Sequence, residues 1–258
     1  MLSNHSALSR FLDRLLTRST LSNQEQEAVL GLTSHAHQVS PNYDIVSPGE
    51  RVEHACLVAH GLVSRYDQMK DGQRQLTALY IPGDMCDLHS VVAPTAGWGL
   101  LALSPTTVLN VPHRELREIA IAYPNLAMAF WRDTTADASI LAKWVGNVGR
   151  RHARQRIAHI ICETGLRVEL AGLGRRDAFW FGVTQQNLAD ALGLTAVHVN
   201  RTLQALRGEK LIRTESRNVY IDDWNRLTRL AEFTPSYLLL QTPSPRAINQ
   251  ATCQTIYN

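Results

Sequence analysis

The stretch VTQQNLADALGLTAVHVNRTLQALRGEKLI, Val183 to Ile212, reads as two short helices bent about a glycine. Thr184 stands where a hydroxyl can accept an orphan backbone N–H, which predicts a first helix over 185–191. Leu188, Ala189 and Leu192 then face inward. Gly193 sits where the chain must leave that helix, and glycine accepts the left-handed backbone such an exit needs. Thr195 is placed to cap a second helix over 196–207. The break between the two is about three residues, the tight connection of a DNA-binding helix–turn–helix.

On a helical wheel Val199, Leu203 and Leu206 fall within about 60° of one another and form a buried stripe. The opposite side carries Val197, Arg201 and Gln204, with His198 and Asn200 on its flanks. That face begins at the helix N-terminus, the end that usually meets base edges in the major groove. Arginine can donate twice to guanine O6 and N7, asparagine can read adenine, and a valine can touch a thymine methyl. Threonine hydroxyls and helix N-termini suit phosphate oxygens. The candidate DNA-contacting set is therefore Thr184, Gln185, Thr195, Val197, His198, Asn200, Arg201 and Gln204. Two amphipathic helices about a glycine also occur in ordinary cores. Both caps, the basic surroundings and a candidate β-wing at "IRTESRNVYIDD", with its turn near Arg217–Asn218, favour DNA.

Charge is unevenly spread along the 258 residues. Residues 146–229 hold 14 Lys and Arg against 8 Asp and Glu; the rest hold 12 against 15, and the net charge is only +3. An ordinary solvated basic surface would show the same excess, so charge supports nucleic-acid binding without deciding it. Apolar residues make up 45% and charged residues 19%, which predicts a packed core. Cys56, Cys86, Cys162 and Cys253 form no CxxC pair and read as buried free thiols in a reducing compartment. The N-terminus lacks a signal-peptide core, and no apolar run approaches the roughly 18–20 residues of a membrane span. A cytoplasmic protein with no membrane partner is expected.

Working upstream, Leu8, Phe11, Leu12 and Leu15 predict an amphipathic helix over 6–16. Ser22 with Glu25 is a capping box opening a helix over 23–30, with Gly31 as its stop. From 36 to 112 short apolar runs alternate with turn signals (SPGE, KDGQ, IPGD, APTAG), which indicates a small all-β sandwich or barrel. The DG of QMKDGQRQLTALY is a hairpin turn. Beyond Pro112 the pattern is helical, with Pro124 starting a new helix that Gly146 or Gly149 breaks near its far end. Phe130, Thr134, Leu141, Trp144 and Val148 lie near one stripe of that helix, with Trp131, Ala138 and Val145 beside it. So wide an apolar band predicts burial on two sides, the helix's own domain and a partner subunit, although a plain core helix shares the pattern. Ile157, Ile160 and Ile161 point a basic helix over 150–164 inward. Beyond about 230 three prolines and little charge suggest a loosely held tail.

With these features in place, the 183–212 segment resembles the winged helix–turn–helix of the Crp/Fnr superfamily of bacterial transcription regulators. Upstream, "PGE…GLVSRY…ALYIPGDMCDLHS…ALSPTTV" is similar to that family's cyclic-nucleotide-binding-like β-roll, and 125–148 to its dimerisation helix. The resemblance covers about 20–225. It implies an α+β chain: N-terminal helices (1–35), a β-roll of double-stranded jelly-roll type (36–112), a linker and dimerisation helix (113–149), a winged helix–turn–helix domain (150–229) and a tail (230–258). It implies a homodimeric, sequence-specific regulator and not an enzyme. Double-stranded DNA and a second copy are the expected partners; RNA polymerase and an unidentified small effector are further candidates. In this chain Arg201 matches the family's base-reading arginine, while Val197 and Ala196 replace a common Glu and a frequent Arg, so a different operator is expected.

Family members that bind cyclic AMP hold it with a Gly-Glu pair and an Arg-Ser/Thr-Ala stretch. Here the region reads GDMCDLHS and APTAGWGLLALSP, with Asp87 near the Glu position and no Arg between Arg74 and Arg114. A phosphate without a cation is poorly held, so cyclic AMP is not expected as effector, and no cofactor is expected. Iron–sulfur members carry several cysteines near the N-terminus; none precedes Cys56 here. Two rival readings stay open: a haem or metal sensor using His89 or Cys86, and a cupin-like metal enzyme drawing on His35, His37, His54, His60, His89 and His113. The second needs three imidazoles converging at about 2.0–2.1 Å from a metal.

Overall fold

The computed structural model describes residues 4–241; Cys253 and most of the tail lie outside them. Helix α1 (Asn4–Leu16) turns Ala7, Leu8, Phe11, Leu12 and Leu15 inward. Helix α2 (Asn23–Leu30) opens on the expected capping box. The Ser22 hydroxyl accepts from the Glu25 N–H, and the Glu25 carboxylate accepts from the Ser22 N–H at 2.7 Å.

Seven strands follow: β1 (His35–Val39), β2 (Asp44–Val46), β3 (His54–His60), β4 (Val63–Gln68), β5 (Arg74–Tyr80), β6 (Gly99–Ala102) and β7 (Thr106–Pro112). They form two antiparallel sheets, ordered β1-β7-β3 and β2-β6-β4-β5. Val46, Val58, Val63, Tyr80, Leu100 and Val108 fill the space between them. The β4–β5 hairpin turns where the DG predicts, with the Met69 N–H donating to the Gln73 carbonyl at 2.8 Å and Gly72 at φ 86°. Gly99 is required by packing, because a Cβ there would lie 2.2 Å from the buried Tyr66 ring.

Helix α3 (His113–Ala122) leads to α4 (Pro124–Arg150), which begins at its proline. Neither Gly146 nor Gly149 breaks α4; the helix ends only at Arg151, where the backbone turns extended. A mid-helix glycine costs roughly 1 kcal/mol. Trp144 and Asn147, on the same turns of the helix, are buried and anchor the segment. Helix α5 (Ala153–Leu170) runs six residues beyond its expected end. Strand β8 (Ala178–Trp180), α6 (Gln185–Leu192), α7 (Ala196–Gly208), β9 (Ile212–Glu215), β10 (Asn218–Ile221) and α8 (Trp224–Ala231) complete the C-terminal part. The β9–β10 turn falls on Ser216–Arg217, one residue earlier than expected, with φ 48° and 65°. Paired positive φ values match the right-handed twist of a two-residue hairpin.

The largest core cluster crosses the domain boundary. Leu76, Leu79 and Leu101 of the β-roll pack in one body with Ile140 and Trp144 of α4 and with Ile157, Leu188 and Leu206 beyond. Helix α6 rests on β5, where the Gln75 side-chain amide donates to the Ala191 carbonyl at 3.2 Å.

A buried polar network reinforces this joint. Asp84, in the loop after β5, accepts from Arg14 of α1 and Arg167 of α5, each at 2.5 Å. Asp133 of α4 accepts from Arg14 at 2.8 Å and from Arg18 at 3.3 Å. Glu163 of α5 accepts from the Trp144 indole at 3.2 Å and from the Tyr237 hydroxyl at 2.7 Å. Burial pushes the Glu163 carboxyl above its ordinary range, and burial beside Arg151 and Lys143 drives His159 down to about 3, so its imidazole is neutral at pH 7.

Residues 232–241 correct the expectation of a loose tail. Tyr237 and Leu238 are buried, Tyr237 meets His159 at 3.2 Å, the Leu238 carbonyl accepts from Arg18 at 2.8 Å, and the Gln241 N–H donates to the Thr17 carbonyl at 2.9 Å. Prolines and low charge do not mark a segment as loose when its few aromatic and aliphatic side chains find a prepared groove.

Candidate nucleic-acid interface

The recognition unit is assembled by local chemistry. Thr184 caps α6 by accepting from the Asn187 N–H at 3.1 Å, Gly193 ends it at φ 61°, and Thr195 caps α7 by accepting from the His198 N–H at 3.2 Å. A Cβ on Gly193 would stand 3.3 Å from Val148 of α4. Gly193→Ala is therefore expected to cost about 1–2 kcal/mol, since an L residue pays for the left-handed backbone besides meeting Val148; urea unfolding of the two proteins measures it. Arg156 of α5 donates to the Leu192 carbonyl at 2.8 Å, and Arg207 of α7 to Thr214 of the wing at 2.7 Å. These bonds fix the two helices and the wing as one unit.

Val199, Thr202, Leu203 and Leu206 hold α7 to the domain. Val197, His198, Arg201 and Gln204 are exposed, and Val197 keeps 72% of its surface, unusual for an apolar residue in the first turn of a helix. Thr195 is also exposed. Together with His152 and Arg154 at the start of α5, the outer face of α7 lines an open groove. Three members of the sequence-derived set, Asn200, Gln185 and Thr184, are engaged in hydrogen bonds within the chain. The Asn200 amide donates to Gln185 Oε1 at 3.0 Å, tying α7 to α6, and the Thr184 hydroxyl donates to the Asn187 side chain at 2.7 Å. Arg217, exposed at the wing tip, enters the sequence reading as part of the expected turn but not of the DNA-contacting set; its position at the tip of a two-residue hairpin beside a helix–turn–helix is the available signal.

Helix α4 sorts the expected dimer stripe into two faces. Phe130 stacks on Phe11 with ring centres 6.2 Å apart, and Trp144 is buried against Glu163; both belong to the chain's own core. Trp131 and Val145 are 66% and 67% exposed, Ala138 is exposed, and Thr134, Leu141 and Val148 are half-buried. Residues 131, 134, 138, 141, 145 and 148 repeat in the 3-4 spacing of a coiled-coil seam.

The histidines of the β-roll do not converge. His35, His37 and His60 are exposed, His113 pairs with Ser90 at 2.7 Å, and His89 lies tilted against Trp98 with ring centres 4.9 Å apart. Among the described residues no three His, Cys, Asp or Glu side chains are grouped to hold a metal ion. Burial and the neighbouring Asp87 push the Cys56 and Cys86 thiols well up, away from the thiolate form that ligates metals.

Comparison with known proteins adds the family. Residues 36–123 match the family model of the cyclic nucleotide-binding domain, and 155–230 that of the Crp-like helix-turn-helix domain. The chain belongs to the Crp/Fnr superfamily of transcription regulators. The nitrogen fixation regulation protein FixK of Azorhizobium caulinodans is 27% identical over 73% of this chain and 76% of its own length. A probable transcriptional regulator, flp, of Lacticaseibacillus casei is 25% identical over 77% of this chain and 88% of its own. The structure of FixK2 from Bradyrhizobium japonicum superposes with a TM-score of 0.71, at 24% identity, over 79% of this chain and all of that one. A CooA mutant from Carboxydothermus hydrogenoformans superposes at 0.61, with 17% identity, over 84% and 94%. As a Crp/Fnr protein the chain carries a DNA-binding helix–turn–helix, and its relatives are transcriptional regulators. Among the described residues no helix is long and apolar enough to cross a membrane.

The matched nucleotide-binding domain holds few cationic groups that could meet a phosphate. No Lys or Arg lies between Arg74 and Arg114. The guanidinium that reaches the cavity between the β-roll and α4 is that of Arg65, already bound to Asp137 at 2.8 Å, and Asp133 is a second carboxylate in the same wall. Asp87 is buried and accepts from the Cys56 N–H at 2.6 Å, with burial raising its carboxyl to about 7. It braces the β-roll from inside.

Proposed function

We propose that the protein is a sequence-specific transcription regulator that binds DNA as a homodimer, with α7 in the major groove of a near-palindromic operator. The observation that carries this reading is the outer face of α7: Val197, His198, Arg201 and Gln204 stand free at the capped end of a helix locked down by Val199, Leu203 and Leu206. Arg201 is the base-reading donor, Val197 the apolar contact, and Thr195 with the α7 N-terminus a phosphate seat. Asn200 and Gln185 position the helix pair through their mutual hydrogen bond. Arg217 of the wing and Arg150 beside α5 supply flanking phosphate contacts.

The seam of Trp131, Thr134, Ala138, Leu141, Val145 and Val148 pairs two copies. A two-fold axis there calls for half-sites about 34–36 Å apart. Selection of bound duplexes from a random pool tests binding, symmetry and spacing together; recovery of unrelated or asymmetric sequences would defeat the reading. Against the selected operator, Arg201→Ala is expected to lose about 1–3 kcal/mol and to relax preference at one base pair per half-site. Equal loss on random DNA would show Arg201 to be a phosphate contact instead.

A further inference from the structure

A cavity of about 30 Å³ lies where α1, the turn after β5, the end of α5 and the segment carrying Leu238 and Leu240 meet. Four arginines line it: Arg10, Arg14, Arg18 and Arg167. Two carboxylates answer them. Asp84 accepts from Arg14 and Arg167, and Asp133 from Arg14 and Arg18. Glu163 approaches Arg167 only at 3.6 Å, and burial favours its neutral form. Four guanidiniums thus face two carboxylates, or three when Glu163 ionises, and the cluster keeps one or two positive charges that its own acids do not balance.

Free donors accompany that surplus. Arg10 has no ion pair or hydrogen bond among the described residues. Arg14 donates from Nε to Asp133 and from Nη1 to Asp84; Arg18 donates from Nε to the Leu238 carbonyl and from Nη1 to Asp133. The Nη2 of each carries no bond, and neither is among the enclosed atoms. Arg167 Nε, by contrast, is enclosed and acts on the cavity through its charge alone. Burial, together with the neighbouring Arg14, pushes the Arg18 guanidinium down to about 10, the response of a cation set among cations. Charged groups in a buried cluster ordinarily find their acceptors inside the protein. Three that keep donors at one cavity mark the place of an acceptor from outside. The chain that continues from Gln241, bonded to the Thr17 carbonyl, brings none, because residues 242–258 contain no Asp or Glu.

Size and donor geometry narrow the ligand. About 30 Å³ takes roughly two water-sized atoms, enough for two oxygens of a tetrahedral anion with the rest at the mouth. Guanidinium forks match phosphate oxygens in pairs, which a spherical monoanion does not offer. Leu170, Leu238 and Leu240 form an apolar collar that meets the body of an ester. We propose that this cavity binds a dianionic phosphate group, free or on a small monoester, held by Arg10 and by the Nη2 atoms of Arg14 and Arg18. The bound group bridges α1 to residues 238–240 and, through the Asp84 cluster, fastens the β-roll to α5. The outer face of α7 and the α4 seam contribute nothing to the lining, so the site stands apart from the DNA and dimer readings.

Calorimetric titration of the full chain at fixed ionic strength tests it, with inorganic phosphate, phenyl phosphate and chloride as probes. Inorganic phosphate is expected to bind saturably, at one site per chain and at least about tenfold tighter than chloride. Phenyl phosphate tighter than inorganic phosphate identifies a monoester as the ligand; equal or weaker binding identifies free phosphate. Arg10→Gln is expected to weaken phosphate about 10- to 100-fold. Its circular dichroism spectrum should stay unchanged, since Arg10 makes no internal bond, and it should lose the rise in urea midpoint that phosphate gives the parent. Arg201→Ala, on the outer face of α7, should keep full binding, which separates this site from phosphate drawn to the DNA face. Should Arg10→Gln fail to fold, Leu240→Glu, which sets a carboxylate in the collar, must show the loss in its place. Absence of saturable phosphate binding, chloride as tight as phosphate, undiminished binding by the folded variant, or loss of binding in Arg201→Ala would each overturn the proposal.

Discussion

Asp84→Ala is expected to destabilise the protein by about 3–5 kcal/mol, the usual cost of removing one partner from a buried ion pair. Asp84 is 3% exposed and accepts from Arg14 and Arg167 at 2.5 Å each, and from the Ile81 N–H at 2.9 Å. Its removal takes one ion-pair partner from each of two largely buried guanidiniums and leaves the Ile81 N–H without its acceptor. Arg14 keeps Asp133, but Arg167 is left with the Leu79 carbonyl and a 3.6 Å approach to Glu163. The consequence reaches function, because Asp84 belongs to the β-roll, Arg14 to α1 and Arg167 to the DNA-binding part. The variant should lose the single cooperative transition and unfold in two steps. Urea unfolding followed by both tryptophan fluorescence and circular dichroism measures this. A loss below about 1 kcal/mol with one transition would show that the shared apolar core alone joins the domains.

The second large effect separates the two faces of α4. Trp144→Ala is expected to cost about 3–5 kcal/mol, the range for emptying a large aromatic site in a core, with Glu163 also losing its indole donor. In the proposed homodimer, two copies of this variant should still pair. Val145→Asp should do the reverse: the residue is 67% exposed, so the folded chain should change by no more than about 0.5 kcal/mol, while a charge in the seam separates the copies. Sedimentation of both variants beside the parent decides. A folded monomer from Trp144→Ala, or an intact dimer from Val145→Asp, would reverse the assignment of faces.

The helix–turn–helix was legible because its determinants are local. A threonine that caps and a glycine that accepts φ 61° act within four residues of where they stand, and the outer face of α7 follows from periodicity once the ends are placed. The capping box of α2 and the DG hairpin were legible for the same reason. Helix α8 was missed; it has one turn of buried contacts, Leu227 and Ala231, and a cap at Asp223 that resembles any acidic loop. Asn200 shows the limit within the recognition helix itself. Its wheel position marks a DNA-facing flank, yet its amide is bonded to Gln185, fifteen residues away on another helix.

The sequence by itself determined the order of the parts, the caps and turn of the recognition unit, and which side of α7 faces outward, since these depend on near neighbours and on the 3.6-residue period. Only the tertiary structure decided which side of α4 meets its own chain, because Phe130 and Trp144 find Phe11 and Glu163 far along the sequence and an apolar band looks alike from every side. It also decided that residues 232–241 pack and that a cation reaches the β-roll cavity. Arg65 arrives there across the β4–β6 pairing, opposite Leu100, a neighbour that chain folding creates and linear spacing does not display.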